Sequence, residues 1–373
     1  MSISLNKPRP KNIYISTNVS CNLRCIYCYE DKSSNKTFDL EITKSRLNKI
    51  LTKPSEQEFI INLHGGEPFL IFPQIKELCE WVWAQKYPCK VMFFATTNGT
   101  LIHGEIKDWI SQNKNRFRLG LSLDGTPDMH NVNRSNSYDK IDLDFFIKTW
   151  PSQGIKMTIS PKTIHNLAEG IMHIHGLGFK DIRCNFAEMV EWENDSVSIL
   201  EDQLRKLSDF YLDNPDLKRS SIMHLNLIEI LNTNSPIQKW CGIGEMNALD
   251  IESDNKYPCH LMFPSVCGKS KSDKSLSFDF NNIENLISEQ CRECEFIRIC
   301  PTCYGSNYIA RGDFAQRDMK LCQFTKCRIK IIAELEYNII LNNSNNLSSI
   351  PTDKRIYQLR MISALEKLIP LLH

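Results

Sequence analysis

The sequence has almost no excess of charge: 45 Lys and Arg stand against 44 Asp and Glu, a formal net charge of +1 over 373 residues. Such a balance gives no global basic field for nucleic acid or an anionic membrane surface, so neither is expected as a partner. There is no run of about eighteen apolar residues to span a bilayer. The N-terminal stretch Met1-Ser-Ile-Ser-Leu-Asn-Lys-Pro-Arg-Pro10 lacks the apolar segment of a secretion signal. These absences lead to the expectation of a cytoplasmic protein. Cysteine is nearly missing from the middle of the chain, where only Cys79, Cys89 and Cys184 lie between positions 29 and 240, although fifteen are present in all. In a reducing compartment clustered cysteines bind metal more often than they form disulfides. The chemistry is therefore sought in the three cysteines of 21–28 and the nine of 241–327.

With 42% hydrophobic and 24% charged residues the chain is globular, long enough for one large domain and a smaller one. Asn12-Ile-Tyr-Ile-Ser-Thr17 reads as a first strand. Further strands are predicted near 58–64, 90–96, 117–123, 155–160 and 181–187, separated by helices near 41–53, 73–86, 104–113, 142–150, 166–176 and 197–213. Six strands alternating with helices predict a parallel α/β sheet, with its chemistry at the strand ends. Pro215–Gln238 is irregular. From Arg328 onward two amphipathic helices are predicted, one with Leu335, Ile339 and Ile340 on its apolar face and one with Leu359, Ile362, Leu365 and Leu368, joined by a flexible Asn- and Ser-rich link over Asn342–Ser349.

The first strand delivers Cys21-Asn-Leu-Arg-Cys25-Ile-Tyr-Cys28-Tyr-Glu, three thiols within eight positions. Thiolates are soft ligands that select zinc or iron–sulfur clusters. This loop offers no fourth ligand to close a zinc site, and three ligands leave one cluster iron open. Cys-x3-Cys-x2-Cys with an aromatic, Tyr27, before the last cysteine resembles the signature of the radical S-adenosylmethionine (radical SAM) enzymes. The resemblance implies a partial, TIM-like (β/α)6 barrel. It also implies a [4Fe–4S] cluster whose open iron chelates SAM and whose electron splits the sulfonium to a 5′-deoxyadenosyl radical.

The strand ends agree. His64-Gly65-Gly66-Glu67-Pro68 resembles the family's GGE motif, in which the glycines allow close approach to a ligand and Glu67 accepts from the amino group of SAM. Thr97-Asn98 ends the third strand, and Ser122-Leu-Asp124 followed by Arg134 ends the fourth. The resemblance places Ser122 and Asp124 near the ribose and Arg134 near the methionyl carboxylate, while Asn185 on the sixth strand reaches the barrel mouth. Taken singly, Gly-Gly-Glu-Pro, Asn-Gly and Asp-Gly are turn sequences and Arg134 is a surface charge. Cys184 reads as a small buried hydrophobe and has no assigned role.

Beyond Trp240 the pattern Cys241, Cys259, Cys267, Cys291, Cys294, Cys300, Cys303, Cys322 and Cys327 admits two zinc ribbons. It is similar to the SPASM extension of radical SAM enzymes acting on peptides and proteins, which carries two auxiliary [4Fe–4S] clusters. That resemblance gives Cys241, Cys259 and Cys303 to the first, completed by Cys267, and Cys291, Cys294, Cys300 and Cys322 to the second, three clusters in all with the SAM-binding one. Two residues separate Cys300 from Cys303 where the usual pattern has three, and Asp254 stands where a glycine is common, although Asp254-Asn255 is still a turn pair. Cys327 is either a spare thiol or an exchangeable ligand.

The expected organisation is a radical SAM barrel over 1–230, a SPASM domain over 231–327 and a helical tail over 328–373. The expected activity is hydrogen abstraction from a precursor peptide followed by closure of a thioether, carbon–carbon or ether crosslink. An external donor such as flavodoxin or ferredoxin supplies electrons, and a separate protein binds the leader, since about a dozen residues precede the first strand. The alternative is an anaerobic sulfatase maturase, a group in which an aspartate after the second SPASM cysteine serves as base. Here that residue is His260, the candidate proton acceptor. Outside the class, the chain would be a zinc-binding scaffold or an electron carrier.

Overall fold

The structure is a computed structural model describing residues 11–32, 34–251, 255–343 and 352–372. The expected features at Met1–Pro10, at Asp254 and over 344–349 lie outside the described residues.

In chain order the elements are β1 (Lys11–Asn18), α1 (Leu40–Leu51), β2 (Phe59–Gly65), α2 (Phe72–Ala84), β3 (Val91–Thr97), α3 (Gly104–Asn113) and β4 (Phe117–Leu121). There follow α4 (Pro127–Asn133), α5 (Leu143–Thr149), β5 (Ile155–Ile159), α6 (Leu167–Gly176), β6 (Ile182–Phe186) and α7 (Ser196–Asp213). The remainder comprises β7 (Asn247–Leu249), β8 (Lys256–Tyr257), the one-turn α8 (Pro264–Cys267), α9 (Lys269–Leu276), the one-turn α10 (Glu289–Arg292), α11 (Tyr304–Arg311), α12 (Met319–Asn343) and α13 (Thr352–Leu368). The strands and helices read from periodicity up to α7 are present, their ends shifted by at most two residues, whereas the first tail helix, read from Arg328, begins at Met319. Helix α4 is an additional element, seven residues long, that the periodicity did not indicate.

Two compact units interleave along the chain. The first takes the chain up to Leu123, Arg134–Ile155 and Gly242–Asp279. The second takes Asp124–Asn133, Lys156–Cys241 and the chain from Phe280.

The first unit holds a six-stranded sheet in the order β4-β3-β2-β1-β7-β8, with β1 to β4 parallel. Strands β5 and β6 pair with each other in a separate two-stranded sheet. The expected single run of six parallel strands is thus divided. The free edge of β1 is taken by β7, which pairs parallel with Ile13–Ile15 and carries β8 antiparallel. An open edge leaves a row of unpaired backbone groups, and a three-residue strand from the distant cysteine-rich region satisfies it here.

Alternation along the strands decides which face is core. Ile13, Ile15, Ile61, Leu63, Phe93, Phe117 and Leu119 are at most 2% exposed, as are Leu47, Ile75, Leu78 and Ile110 of the helices. Phe93 stacks on Phe117 at 6.0 Å, and Trp109 meets Phe117 edge-on at 5.6 Å. The opposite face carries the in-register row Tyr14, Asn62, Phe94 and Arg118. Helix α1 starts at Asp39, whose carboxylate accepts from the Ile42 N–H at 2.8 Å. Helix α5 is capped in the same way by Asp142.

In the second unit α7 lies along α12, joined by Arg205 to Glu334 at 2.8 Å and Lys330 to Glu201 at 3.0 Å. The stretch read as irregular after α7 contains two short 3-10 turns and buries Leu225, Leu227 and Ile230 against Ile329, Ile332, Met361, Ala364, Leu365 and Leu368. The tail helices therefore pack, but α13 does so through Met361, Ala364, Leu365 and Leu368, at i, i+3, i+4 and i+7. Leu359 and Ile362, expected on that face, are 66% and 38% exposed.

Two glycines test the packing logic. A Cβ on Gly66 would stand 1.9 Å from the Ser20 carbonyl oxygen, whereas Gly176, at the end of α6, has nothing within 4 Å. Gly66→Ala is expected to cost about 3 kcal/mol or more through a backbone clash that cannot relax, and Gly176→Ala to stabilise by up to about 1 kcal/mol. Urea unfolding of both variants checks the contrast; equal effects would show the exit of β2 to be less tightly held than described.

Candidate functional site

The cysteine loop leaves β1 through a backbone brace with the exit of β2. The Gly66 N–H donates to the Asn18 carbonyl at 2.8 Å and the Glu67 N–H to the Ser20 carbonyl at 2.9 Å. The Asn18 amide reaches the carbonyls of Ser20 and Glu67 at 2.9 and 3.1 Å, and the Thr17 hydroxyl donates to the His64 carbonyl at 2.8 Å. Gly65, with φ +135°, and Gly66 are glycines because the backbone of Asn18 and Ser20 fills the space of a side chain. Close approach was expected toward a ligand; the structure shows it toward the chain's own strand.

Cys21, Cys25 and Cys28 are free thiols, as are all fifteen cysteines. Donors converge on their sulfurs. The Leu23 N–H lies 3.4 Å and the Asn98 amide 3.9 Å from the Cys21 Sγ, and Arg134 Nη1 lies 4.0 Å from the Cys25 Sγ. Hydrogen bonds of this kind surround the ligand sulfurs of iron–sulfur clusters. Asn98 also donates to the Asn22 side chain at 2.8 Å, and Asn22 to the Thr100 hydroxyl at 2.8 Å, tying the loop to the end of β3. Asn22 and Thr100 carry no spacing signal, and sequence reasoning missed them. Among the described residues no three His, Cys, Asp or Glu side chains stand close enough together to grip a single metal ion. Three soft donors on one short loop, with donors aimed at their sulfurs, fit a cluster that leaves one iron open.

Glu67 is 1% exposed, and its carboxylate accepts from the Thr97 hydroxyl and the Asn98 N–H, both at 2.8 Å, and from the Phe69 N–H at 3.3 Å. It braces β2 to β3. Burial pushes its pKa up to about 7, against the pull of these donors and of Arg134. Arg134 is itself buried, and its guanidinium sits 5.5 Å from the centre of the Tyr27 ring. The first unit therefore gathers Cys21, Cys25, Tyr27, Glu67, Thr97, Asn98 and Arg134 at neighbouring strand ends. Ser122 is held there by its N–H on the Thr97 carbonyl at 3.0 Å.

In the second unit Asp124 is fully buried and accepts from the Thr158 N–H at 2.8 Å and the Asn133 amide at 3.1 Å. Asn133 in turn accepts from the Ser160 hydroxyl at 2.7 Å. Asn185 is exposed on β6, while its neighbour Cys184 is buried and its pKa raised by that burial.

The later cysteines divide between the units. Cys259 and Cys267 belong to the first, and burial pushes the Cys267 thiol up to about 11. The rest belong to the second, where Cys291, Cys294 and Cys322 stand near enough to Cys300 to raise its pKa further, after burial, to about 11. Cys303 feels burial first and then Glu188 and Cys241, and accepts from the Ser306 hydroxyl at 3.2 Å. The second unit thus brings together Cys291, Cys294, Cys300 and Cys322, and separately Cys241 with Cys303. Cys327 sits among Glu201, Lys330, Arg205 and Arg328, with its pKa pushed by burial up to about 12.

His260, next to Cys259, stacks on His64 with ring centres 4.6 Å apart and on Tyr14 at 5.6 Å, with Tyr29 tilted at 6.4 Å. His64 and Tyr14 were missed as companions of His260, since only the strand register brings them to one place.

The buried carboxyl of Glu67 carries a pH signature. The folded chain keeps its proton up to pH about 7, while an unfolded chain releases it near 4.5. Its stabilising effect is complete below 4.5 and is lost as pH rises through about 7. Glu67→Gln in the metal-free protein should reduce the loss of unfolding free energy between pH 5 and 8 by on the order of 3 kcal/mol. Urea titrations across that range give the answer, and an unchanged slope would place the carboxyl in a wetter setting.

A family model described as a 4Fe-4S single cluster domain matches residues 14–138, the segment holding the cysteine loop, Glu67 and Arg134. An uncharacterized protein of Methanocaldococcus jannaschii is 25% identical over 179 residues, 46% of this chain and 61% of that relative, so the chain spans less than two thirds of its length. A cysteine-type anaerobic sulfatase-maturating enzyme of Clostridium perfringens is 23% identical over 364 residues, 88% of this chain and 96% of the relative. Among solved structures, native anSMEcpe with bound AdoMet and the Cp18Cys peptide superposes with a TM-score of 0.65 at 22% identity, over 90% of this chain and 99% of that one. Streptococcus suis SuiB bound to precursor peptide SuiA does so with 0.55 at 15% identity, over 84% and 76%. The α/β architecture, the loop of Cys21, Cys25 and Cys28 and the gathered cysteines beyond Trp240 agree with these matches, which support the reading of the chain as a radical SAM enzyme with a SPASM-like domain that binds S-adenosyl-L-methionine and [4Fe–4S] clusters.

Proposed function

We propose that the chain oxidises a side chain of a ribosomally made peptide and closes a crosslink within it. When bound, SAM and the cluster of Cys21, Cys25 and Cys28 supply the hydrogen-abstracting 5′-deoxyadenosyl radical. The protein's part is to orient and to exclude water. Tyr27, Gly65, Gly66, Glu67, Thr97, Asn98, Ser122 and Arg134 in the first unit hold SAM, with Arg134 as the cation for a carboxylate. The sequence resemblance assigns Asp124 and Asn185 to the same cofactor. The sequence resemblance assigns Cys241, Cys259, Cys267 and Cys303 to one auxiliary cluster and Cys291, Cys294, Cys300 and Cys322 to another. A flavodoxin or ferredoxin delivers electrons.

The observation that carries the crosslinking reading is His260. It occupies the position that the resemblance gives to the aspartate base of sulfatase maturases, and it is packed among Tyr14, Tyr29 and His64. An imidazole stacked among rings is suited to taking a proton near neutral pH. It does not reproduce a carboxylate. The second reading, oxidation of a sulfatase cysteine or serine to formylglycine, is favoured by the length over which the Clostridium perfringens maturase aligns.

Anaerobically reconstituted protein should hold three clusters. Replacing Cys21, Cys25 and Cys28 by Ala should remove about a third of the iron and stop SAM cleavage. Mass spectrometry of a precursor peptide encoded beside the gene should show two hydrogens lost and a new bond between residues. Formylglycine in a sulfatase peptide would establish the second reading, and an inverted stereocentre at unchanged mass would overturn both.

A further inference from the structure

Arg317 touches Cys300, and the buried Arg328 lies within electrostatic range of it. Arg317, in the turn between α11 and α12, donates through Nη1 to the Cys300 sulfur at 2.6 Å and to the Cys300 carbonyl at 3.0 Å. Arg328, on α12, is 9% exposed, and its guanidinium donates to the carbonyls of Ile222 at 2.8 Å, Ser221 at 3.1 Å and His224 at 3.5 Å. The ionisable groups near Arg328 include Cys184, Cys300, Cys327 and His224, and among the described residues no carboxylate pairs with it. This differs from Arg219, which meets Glu336 at 2.6 Å, and Arg311, which meets Asp318 at 3.3 Å.

A buried guanidinium with only carbonyls for company lacks an anion, and a cation in that position is costly. Thiolate ligation provides one, because a coordinating thiol is deprotonated outright. Four thiolates around a [4Fe–4S] core leave a net negative charge in either oxidation state, and Cys291, Cys294 and Cys322 are the other thiols grouped with Cys300. The charged groups acting on Cys184 of β6 are Asp124 and Arg328, and those acting on Cys327 include Glu201 and Arg205 of α7, whereas Cys300 is the one of the three grouped with further ligand cysteines.

Resting on the ligand assignment made above, we propose that Arg317 and Arg328 form a cationic clamp on Cys300 that raises the reduction potential of the second auxiliary cluster. Hydrogen bonds to ligand sulfurs and nearby charge are the levers that set such potentials. Reduction adds negative charge to the cluster, and a guanidinium on a ligand sulfur stabilises the reduced form more than the oxidised one. Arg317 acts through the hydrogen bond and Arg328 through its charge, and both are positioning residues rather than catalytic ones.

The test is an EPR-monitored redox titration of protein in which Cys21, Cys25 and Cys28 are Ala, so that only the auxiliary clusters report. Arg317→Gln should move one midpoint negative by about a tenfold change in the reduction equilibrium, ~59 mV for one electron, and leave the other in place. Arg317→Lys should recover part of the shift. Arg328→Gln should move the same midpoint in the same direction by less. Unchanged midpoints with iron retained in Arg317→Gln overturn the clamp. If Arg317→Gln loses iron, retention by Arg317→Lys supports it and loss by both overturns it. Wild-type protein holding zinc in place of iron would overturn the ligand assignment itself, a failure distinct from that of the clamp.

Discussion

The contact on which the candidate site depends is between two pieces of backbone. Gly65 and Gly66 lie against Asn18 and Ser20 so closely that no side chain fits at either glycine. This contact fixes where the chain leaves β1, and Cys21 follows Ser20 directly. It also fixes where Glu67 stands, because the Glu67 N–H is bonded to the Ser20 carbonyl. Once Glu67 is set, its carboxylate holds Thr97 and Asn98, and Asn98 reaches back to Asn22 and the Cys21 sulfur. A closed circuit of short polar contacts thus runs from the first strand end to the second, to the third and back to the cysteine loop. Polar networks that are fully satisfied in a low-dielectric setting are stiff, and a loop that must present three thiols in one geometry needs that stiffness.

Charge is arranged around the thiols in both units, in different ways. In the first, Arg134 is shared among the Cys25 sulfur, the face of Tyr27 and the charge of Glu67, so a cation and a buried carboxyl lie within one small volume. In the second, Arg328 has backbone carbonyls and thiols as its neighbours. A protein interior does not tolerate an uncompensated charge, so the groups around each cysteine set indicate the sign of what the set holds. Burial and the neighbouring thiols Cys291, Cys294 and Cys322 raise the Cys300 thiol, and Arg317 works against that in the direction iron ligation requires.

Several readings that were clear in the sequence changed meaning in three dimensions. Asp124 and Glu67 were recognisable as motif positions, yet each carboxylate is taken up by partners in the protein, Thr158 and Asn133 for one and Thr97, Asn98 and Phe69 for the other. Motif spacing identifies a residue without identifying what its oxygens touch. The tail helix α13 was legible as amphipathic, but its buried stripe is rotated toward Met361 and Ala364, because its partner surface is built from the turns after α7. Nothing in the local pattern of 352–368 contains that surface.

What the sequence by itself determined was the order of β and α elements, the three-thiol loop at the end of β1, the strand-end motifs and the sorting of the remaining cysteines into a late cluster. These follow from periodicity and ligand spacing, which are properties of neighbouring residues. The tertiary structure alone decided that β7 closes the edge of β1, that His64 and Tyr14 stack with His260, that Asn22 and Thr100 tie the cysteine loop to β3, and that Arg317 and Arg328 attend Cys300. Each of these joins residues far apart in the chain, or residues without a distinctive pattern, and contacts of that kind are set by how strands register and elements pack rather than by local sequence preference.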